Sequence, residues 1–139
     1  IWKYPAIDGG LGNRQRWLGK GIVLDLSKVS DMKITGEIWI TTSSGKLEKY
    51  LRGAPVKFEM EGLPTSRTDK RLMDPASLFV NEKYVYVLER GAKRVVVFDV
   101  QGKYIAQYVG EEFERSKALI VHNGRGYVLI DNVVKEFEL

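Results

Sequence analysis

Residues Pro75 to Tyr108 read PASLFVNEKYVYVLERGAKRVVVFDVQGKYIAQY, and this stretch decides the fold. It divides into four short strand-forming runs, each followed by a turn signal. The middle two are β-branched and aromatic: Val85 and Val87, then Val95 and Val97, alternate with their neighbours, and Gly91 and Gly102 punctuate them.

Weaker copies lie on both sides. Upstream, Met32–Ile34, Glu37–Thr42, Lys46–Leu51 and Val56–Met60 read as four strands, closed by Gly62-Leu63-Pro64. Downstream, Ala118–Val121, Gly126–Ile130 and Val133–Leu139 read as three. In alignment Trp39, Tyr86 and Tyr127 share one place in the second strand, 47 and 41 residues apart. That is the period of about 40–50 residues found in propeller blades. Tyr50, Phe98 and Phe137 share a place in the third strand, and Ile34, Val80 and Val121 one in the first. The expected fold is therefore all-β: β-propeller blades of four antiparallel strands, about three of them, half a propeller. The chain reads as one propeller fragment: 1–20 the end of a truncated blade, 29–62 a blade, 75–109 a blade, and 116–139 an incomplete blade.

The connecting segments are less regular. Ile1–Tyr4 alternates as a strand stopped by Pro5, Asp8-Gly9-Gly10 reads as a turn, and Arg14–Leu18 as a second strand. Ile22–Ser27 fits either a buried strand or a packed loop, and Ser27–Asp31 fits one helical turn. The loop Thr65–Asp74 is polar and basic, and Gly110–Lys117 is a charged linker with room for a helical turn.

Composition narrows the function classes. Apolar content of 44% and charged content of 29% are those of a folded globule rather than a disordered chain. With no Cys, thiol catalysis, disulfides and Cys-based metal sites are excluded. A net charge of +4 is mild beside the dense Lys/Arg content of dedicated nucleic-acid binders. No apolar run reaches the roughly 18 residues of a membrane-spanning helix, so no membrane insertion is expected. The chain opens on Ile1 rather than Met, as a trimmed or partial sequence does.

The run Tyr86-Val87-Leu88-Glu89, Arg94-Val95-Val96-Val97-Phe98-Asp99, Gly102-Lys103-Tyr104 resembles the NHL-type repeat of six-bladed propellers. Arg94, Phe98, Asp99 and Gly102 match that repeat, Glu89 stands where Asp is usual, and Ala92 where Asn is. The whole chain also resembles the C-terminal half of uncharacterised bacterial propeller proteins. The resemblance implies a scaffold and carries no activity with it.

A blade buries one sheet face on the blade before it and the other on the blade after it, so a strip of blades leaves its ends uncovered. The expected remedy is a homodimer completing a six-bladed ring, or the upstream half of a longer parent chain. The third strand of the last blade, Val133–Leu139, is expected to need a partner for its edge, and Arg14–Leu18 has the character to supply it.

No catalytic, cofactor-binding or metal-binding residue is nominated, and no cofactor is expected. His122 lacks companions and reads as a turn residue; Asp99 and Asp131 read as turn aspartates rather than cation ligands. The strand 2–3 turns and inter-blade loops should share one rim carrying Arg67, Lys70, Arg71, Arg90, Lys93 and Arg94, a candidate groove for an anionic partner. The expected function is a non-catalytic scaffold or interaction module that binds a macromolecule through its loops. The alternatives are a propeller enzyme hydrolysing or isomerising a small molecule in a central pocket, and an RNA or anionic-polymer binder.

Overall fold

The computed structural model describes residues 1–139. The chain begins as a bent ribbon. β1 (Trp2–Lys3) pairs with β4 (Gln15–Arg16), and β2 (Ala6–Ile7) pairs with β3 (Gly10–Leu11) around the Asp8-Gly9 turn. Pro5 interrupts this strand without ending it: its carbonyl accepts from Gly12 N at 2.8 Å, so the hairpin resumes beyond it. The stretch Ile22–Ser27 is a packed loop, with Ile22 and Leu24 inward and Val23 exposed, and it ends in a short 3₁₀ turn, Leu26–Lys28.

Three blade-like antiparallel sheets follow, each in simple up-and-down order. The first is β5 (Val29–Ile34), β6 (Ile38–Thr42), β7 (Leu47–Leu51) and β8 (Ala54–Val56). The second is β9 (Pro75–Val80), β10 (Tyr84–Glu89), β11 (Arg94–Asp99) and β12 (Tyr104–Val109). A 3₁₀ turn at Glu111–Arg115 leads to the third, β13 (Ser116–His122), β14 (Arg125–Ile130) and β15 (Val133–Glu138). The all-β architecture of blade-like sheets expected from the sequence is the one observed.

Several strand bounds depart from the sequence reading: residues 57–60, read as strand, are not one, and β13 starts two residues before Ala118. β5 starts at Val29, three residues earlier than Met32. β8 starts at Ala54, because Arg52 and Gly53 both take positive φ (51° and 82°) and form a two-residue hairpin turn. Pro55 is tolerated there because β8 is the outer strand of its sheet.

The repeat is physical as well as textual. Each first strand carries one extra residue at the same register position, Ser30, Ala76 or Lys117, where pairing with the second strand slips. Trp39 pairs with Lys33, Tyr86 with Phe79 and Tyr127 with Ile120, so the three aromatics are structurally equivalent. The third-to-fourth-strand turns also dock alike. A Cβ on Gly53 would lie 2.2 Å from the Trp17 carbonyl oxygen, and one on Gly102 2.0 Å from that of Glu59, so each turn sits against the end of the preceding unit.

The cores lie between sheets. Trp39 and Leu47 meet Leu78, Val85, Val87 and Phe98, joining the first sheet to the second. Tyr86, Leu88, Val95 and Val97 meet Leu119, Val128 and Ile130, joining the second to the third. The remaining face of the first sheet, Ile38, Ile40 and Tyr50, is covered by Ile1, Trp17 and Leu18 of the N-terminal segment.

The first strands, which lie side by side, are stitched by a polar relay. Asp31 Oδ2 accepts from Leu78 N at 2.8 Å and from Ser77 Oγ at 3.0 Å, and Ser77 Oγ accepts from Leu119 N at 3.1 Å. Each sheet thus supplies an acceptor to an amide on the open inner edge of the next. Asp31→Ala should cost about 1–3 kcal/mol by leaving Leu78 N without a partner. Urea unfolding measures this, and an unchanged midpoint would contradict it.

Candidate interaction surface

The third sheet repeats the second in register but lacks a sheet beyond it. Side chains alternate along its strands, so Val128 and Ile130 face the second sheet, while Ile120, Tyr127, Leu129 and Val134 face away. Trp39 is 1% exposed and Tyr86 7%, whereas Ile120 is 59% and Val134 65% exposed, and Tyr127 is half-buried. The outer edge of β15 pairs with no strand, unlike those of β7 and β11. This trailing face combines an apolar surface with an open strand edge. Arg14–Leu18 does not pair with that edge within the chain: Arg16 is held by Trp2 of β1 and by the Arg16 Nη2–Ile22 carbonyl bond of 2.7 Å.

Five of the six nominated cations, all but Arg94, occupy one rim, brought together where Leu72 N bonds the Gly45 carbonyl, Gly91 N that of Met73, and Arg90 N that of Asp74. They do not form an open cationic groove. Arg67 makes two bonds to the Asp69 carboxylate (2.8 and 2.6 Å), Arg71 lies 3.9 Å from the same group, and Arg90 makes two bonds to Asp74 (2.9 and 3.0 Å). Lys93 pairs with Glu111 and Glu114 of the next linker. Lys70 alone has no acidic partner among these pairs.

Arg94 leaves the groove altogether. It is buried beside fully buried Glu89, with Nε donating to Glu89 Oε2 at 2.6 Å and Nη1 donating to the Pro64 carbonyl and to Gln107 Oε1. Glu89 Oε1 accepts from Met73 N at 2.6 Å. The reason is register: Glu89 and Arg94 are direct cross-strand partners flanking the Arg90–Lys93 turn, so opposite charges meet inside the stack. The pair was findable in the sequence as opposite charges bracketing one hairpin turn.

Arg67 also fixes the titration of its neighbour. Its hydrogen bond to Asp69, helped by the Arg71 backbone amide, pulls the Asp69 carboxyl down to about 2. The folded value lies below that of an unfolded chain, so this clasp contributes above the ordinary carboxylate range and is lost as pH falls toward 2. An NMR titration should place the Asp69 midpoint near 2; an ordinary aspartate midpoint would contradict the clasp.

Two clefts open on the opposite rim, between strand 1–2 turns of neighbouring sheets. The first, about 650 Å³, is lined by Glu37, Trp39, Lys49, Asn81, Glu82 and Gln101. Lys49 Nζ bonds Glu37 at 2.9 Å and sits 4.9 Å from the Trp39 ring centroid, closing the pair over the indole. The second, about 570 Å³, is lined by Tyr84, Tyr86, His122 and Asn123 among others. Sequence reading did not find these clefts because they arise from stacking, not from a motif. Asp99 Oδ1 accepts from Gln101 N and Lys103 N at 3.0 Å, and Asp131 pairs with Arg115, so both aspartates are engaged locally.

No family model matches the chain, and no curated protein matches it. Among solved structures it is similar to the crystal structure of the computationally designed Ika4 protein, with TM-score 0.59 and 12% identity over 80% of this chain and 66% of that one. It is also similar to the computationally designed Ika8 protein, with TM-score 0.60 and 13% identity over 80% of this chain and 33% of that one. At these identities the likeness concerns the fold alone. The chain spans two thirds or less of each, so in both the matched strip is part of a larger body.

Proposed function

We propose that the chain is a non-catalytic interaction module: a strip of blade-like sheets that docks a macromolecular partner. One observation carries this reading. Tyr127 occupies the position that Trp39 and Tyr86 occupy in the earlier sheets, yet no sheet lies over it, and neighbouring Ile120 and Val134 are exposed. An uncovered apolar sheet face beside an open strand edge is a docking surface by its physics. The loop rims frame it and supply polar contacts. In both similar structures the matched strip continues into further chain, which fits a unit that works as part of something larger.

The anionic-polymer alternative has weaker support, since five of the six cations nominated for it are already engaged with carboxylates. The test uses an apolar fluorescent dye such as ANS with dilute chain. Wild type is expected to bind it, and Ile120→Lys with Val134→Lys to lose that binding while keeping its circular dichroism. Equal dye binding by both would place the sticky surface elsewhere and overturn the reading.

A further inference from the structure

We propose that the partner on the trailing face is a second copy of this chain, presenting its N-terminal hairpin head to tail. The inference rests on the module reading above and names the occupant.

The chain itself shows which surfaces mate. The aromatic face of one sheet meets the opposite face of the next, as Trp39 meets Val85 and Val87, and Tyr86 meets Val128 and Ile130. At the leading end, the N-terminal hairpin takes the place of a preceding sheet, laying Ile1, Trp17 and Leu18 on Ile38 and Ile40. Its other side is exposed and aromatic: Trp2 and Tyr4 are each about half exposed, and Arg14 stacks over the Trp2 ring at 4.7 Å. One copy therefore carries both halves of the repeating contact, a trailing face at one end and a leading face at the other.

The polar relay selects this occupant. Asp31 and Ser77 each offer an acceptor to the first strand of the next sheet, and the register places Ala118 at the third such position. A methyl group cannot satisfy an amide. A complete sheet docking here would leave its inner-strand amide unpaired, at a real cost. The N-terminal hairpin presents two strands that run straight into the connector, and its Trp17–Gly19 end receives the Gly53 turn as the Glu59–Glu61 end receives Gly102. Docked through these two strands, it makes no demand on Ala118.

Charge agrees in sign. Residues 1–20 hold Lys3, Arg14, Arg16 and Lys20 against one acid, Asp8, while on β14 and β15 Arg125 engages Glu136 and leaves Glu138 as the acid in excess. A heterologous contact of this kind, used twice, closes a two-fold ring of six blade-like sheets with a hairpin standing at each of the two seams.

The test is solution mass by light scattering across concentration. Wild type is expected at twice the chain mass. A trailing variant (Ile120→Arg with Val134→Arg) and a leading variant (Trp2→Ser with Tyr4→Ser) should each associate at least about 100-fold more weakly. Both pairs are exposed, and circular dichroism should be unchanged. Mixing the two variants should restore one contact and yield a heterodimer. A monomeric wild type at every concentration overturns the second-copy inference, and if dye binding at Ile120 and Val134 persists, the module reading survives it. Self-association of the leading variant alone would mean a symmetric trailing-to-trailing contact, and growth into open chains would mean the ring does not close; either overturns the proposal.

Discussion

Arg94→Met should destabilise the fold by about 3–5 kcal/mol, the usual cost of removing one partner of a buried ion pair. Glu89 is wholly buried, and without Arg94 its carboxylate keeps only the Met73 amide as a donor. The loss also frees the Pro64 carbonyl, which Arg94 Nη1 ties to the second sheet, and removes the donor to Gln107 of β12. The loop before β9 is thereby released at one end. For a chain of this size that loss lowers the melting temperature by about 10–15 °C. Arg94→Lys should fall between wild type and Met, since a single ammonium cannot serve Glu89, Pro64 and Gln107 at once as the planar fork does. Thermal melts of the three proteins give the ranking; a Met variant within about 1 kcal/mol of wild type would mean the pair is exposed to water.

The second large effect is a contrast among equivalent residues. Trp39→Ala and Tyr86→Ala should each cost about 3–5 kcal/mol, because each empties a core between two sheets. Trp39 is also packed edge-on by Phe58, with ring centroids 5.0 Å apart. Tyr127→Ala, at the same register position, should cost about 1 kcal/mol or less in dilute chain, since no neighbouring sheet packs on it. Urea unfolding of the three variants decides it. Equal losses would mean that Tyr127 is covered within one chain, and the trailing face would not exist.

Much of this was legible because a repeat of blade-like sheets writes its register into the sequence three times. The spacing of Trp39, Tyr86 and Tyr127 located the second strands, and each proved to pair with the same position of its first strand. The strand edges were less legible, because positive φ at Arg52 and Gly53 turns the chain in two residues where composition suggested four. The nominated groove misled for a different reason. Lys and Arg can be counted in a sequence, but their acids come from elsewhere: Asp74 for Arg90, Glu111 for Lys93, and Glu89 across a hairpin for Arg94. The relay through Asp31 and Ser77 was invisible for the same reason, since its partners are 46 and 42 residues apart. Four residues of the middle copy each have structural work to do: Phe98 fills the first core, Asp99 holds its turn, Gly102 admits the Glu59 carbonyl and Arg94 anchors the loop.

Amide hydrogen exchange across the third sheet, followed as the chain is concentrated, is the most direct measurement. In dilute solution the outer-edge amides of β15 are predicted to exchange fast while those of β11 stay protected, and concentrating the chain should slow β15 alone. If β15 is as protected as β11 in dilute chain, the third sheet is already covered and needs no partner.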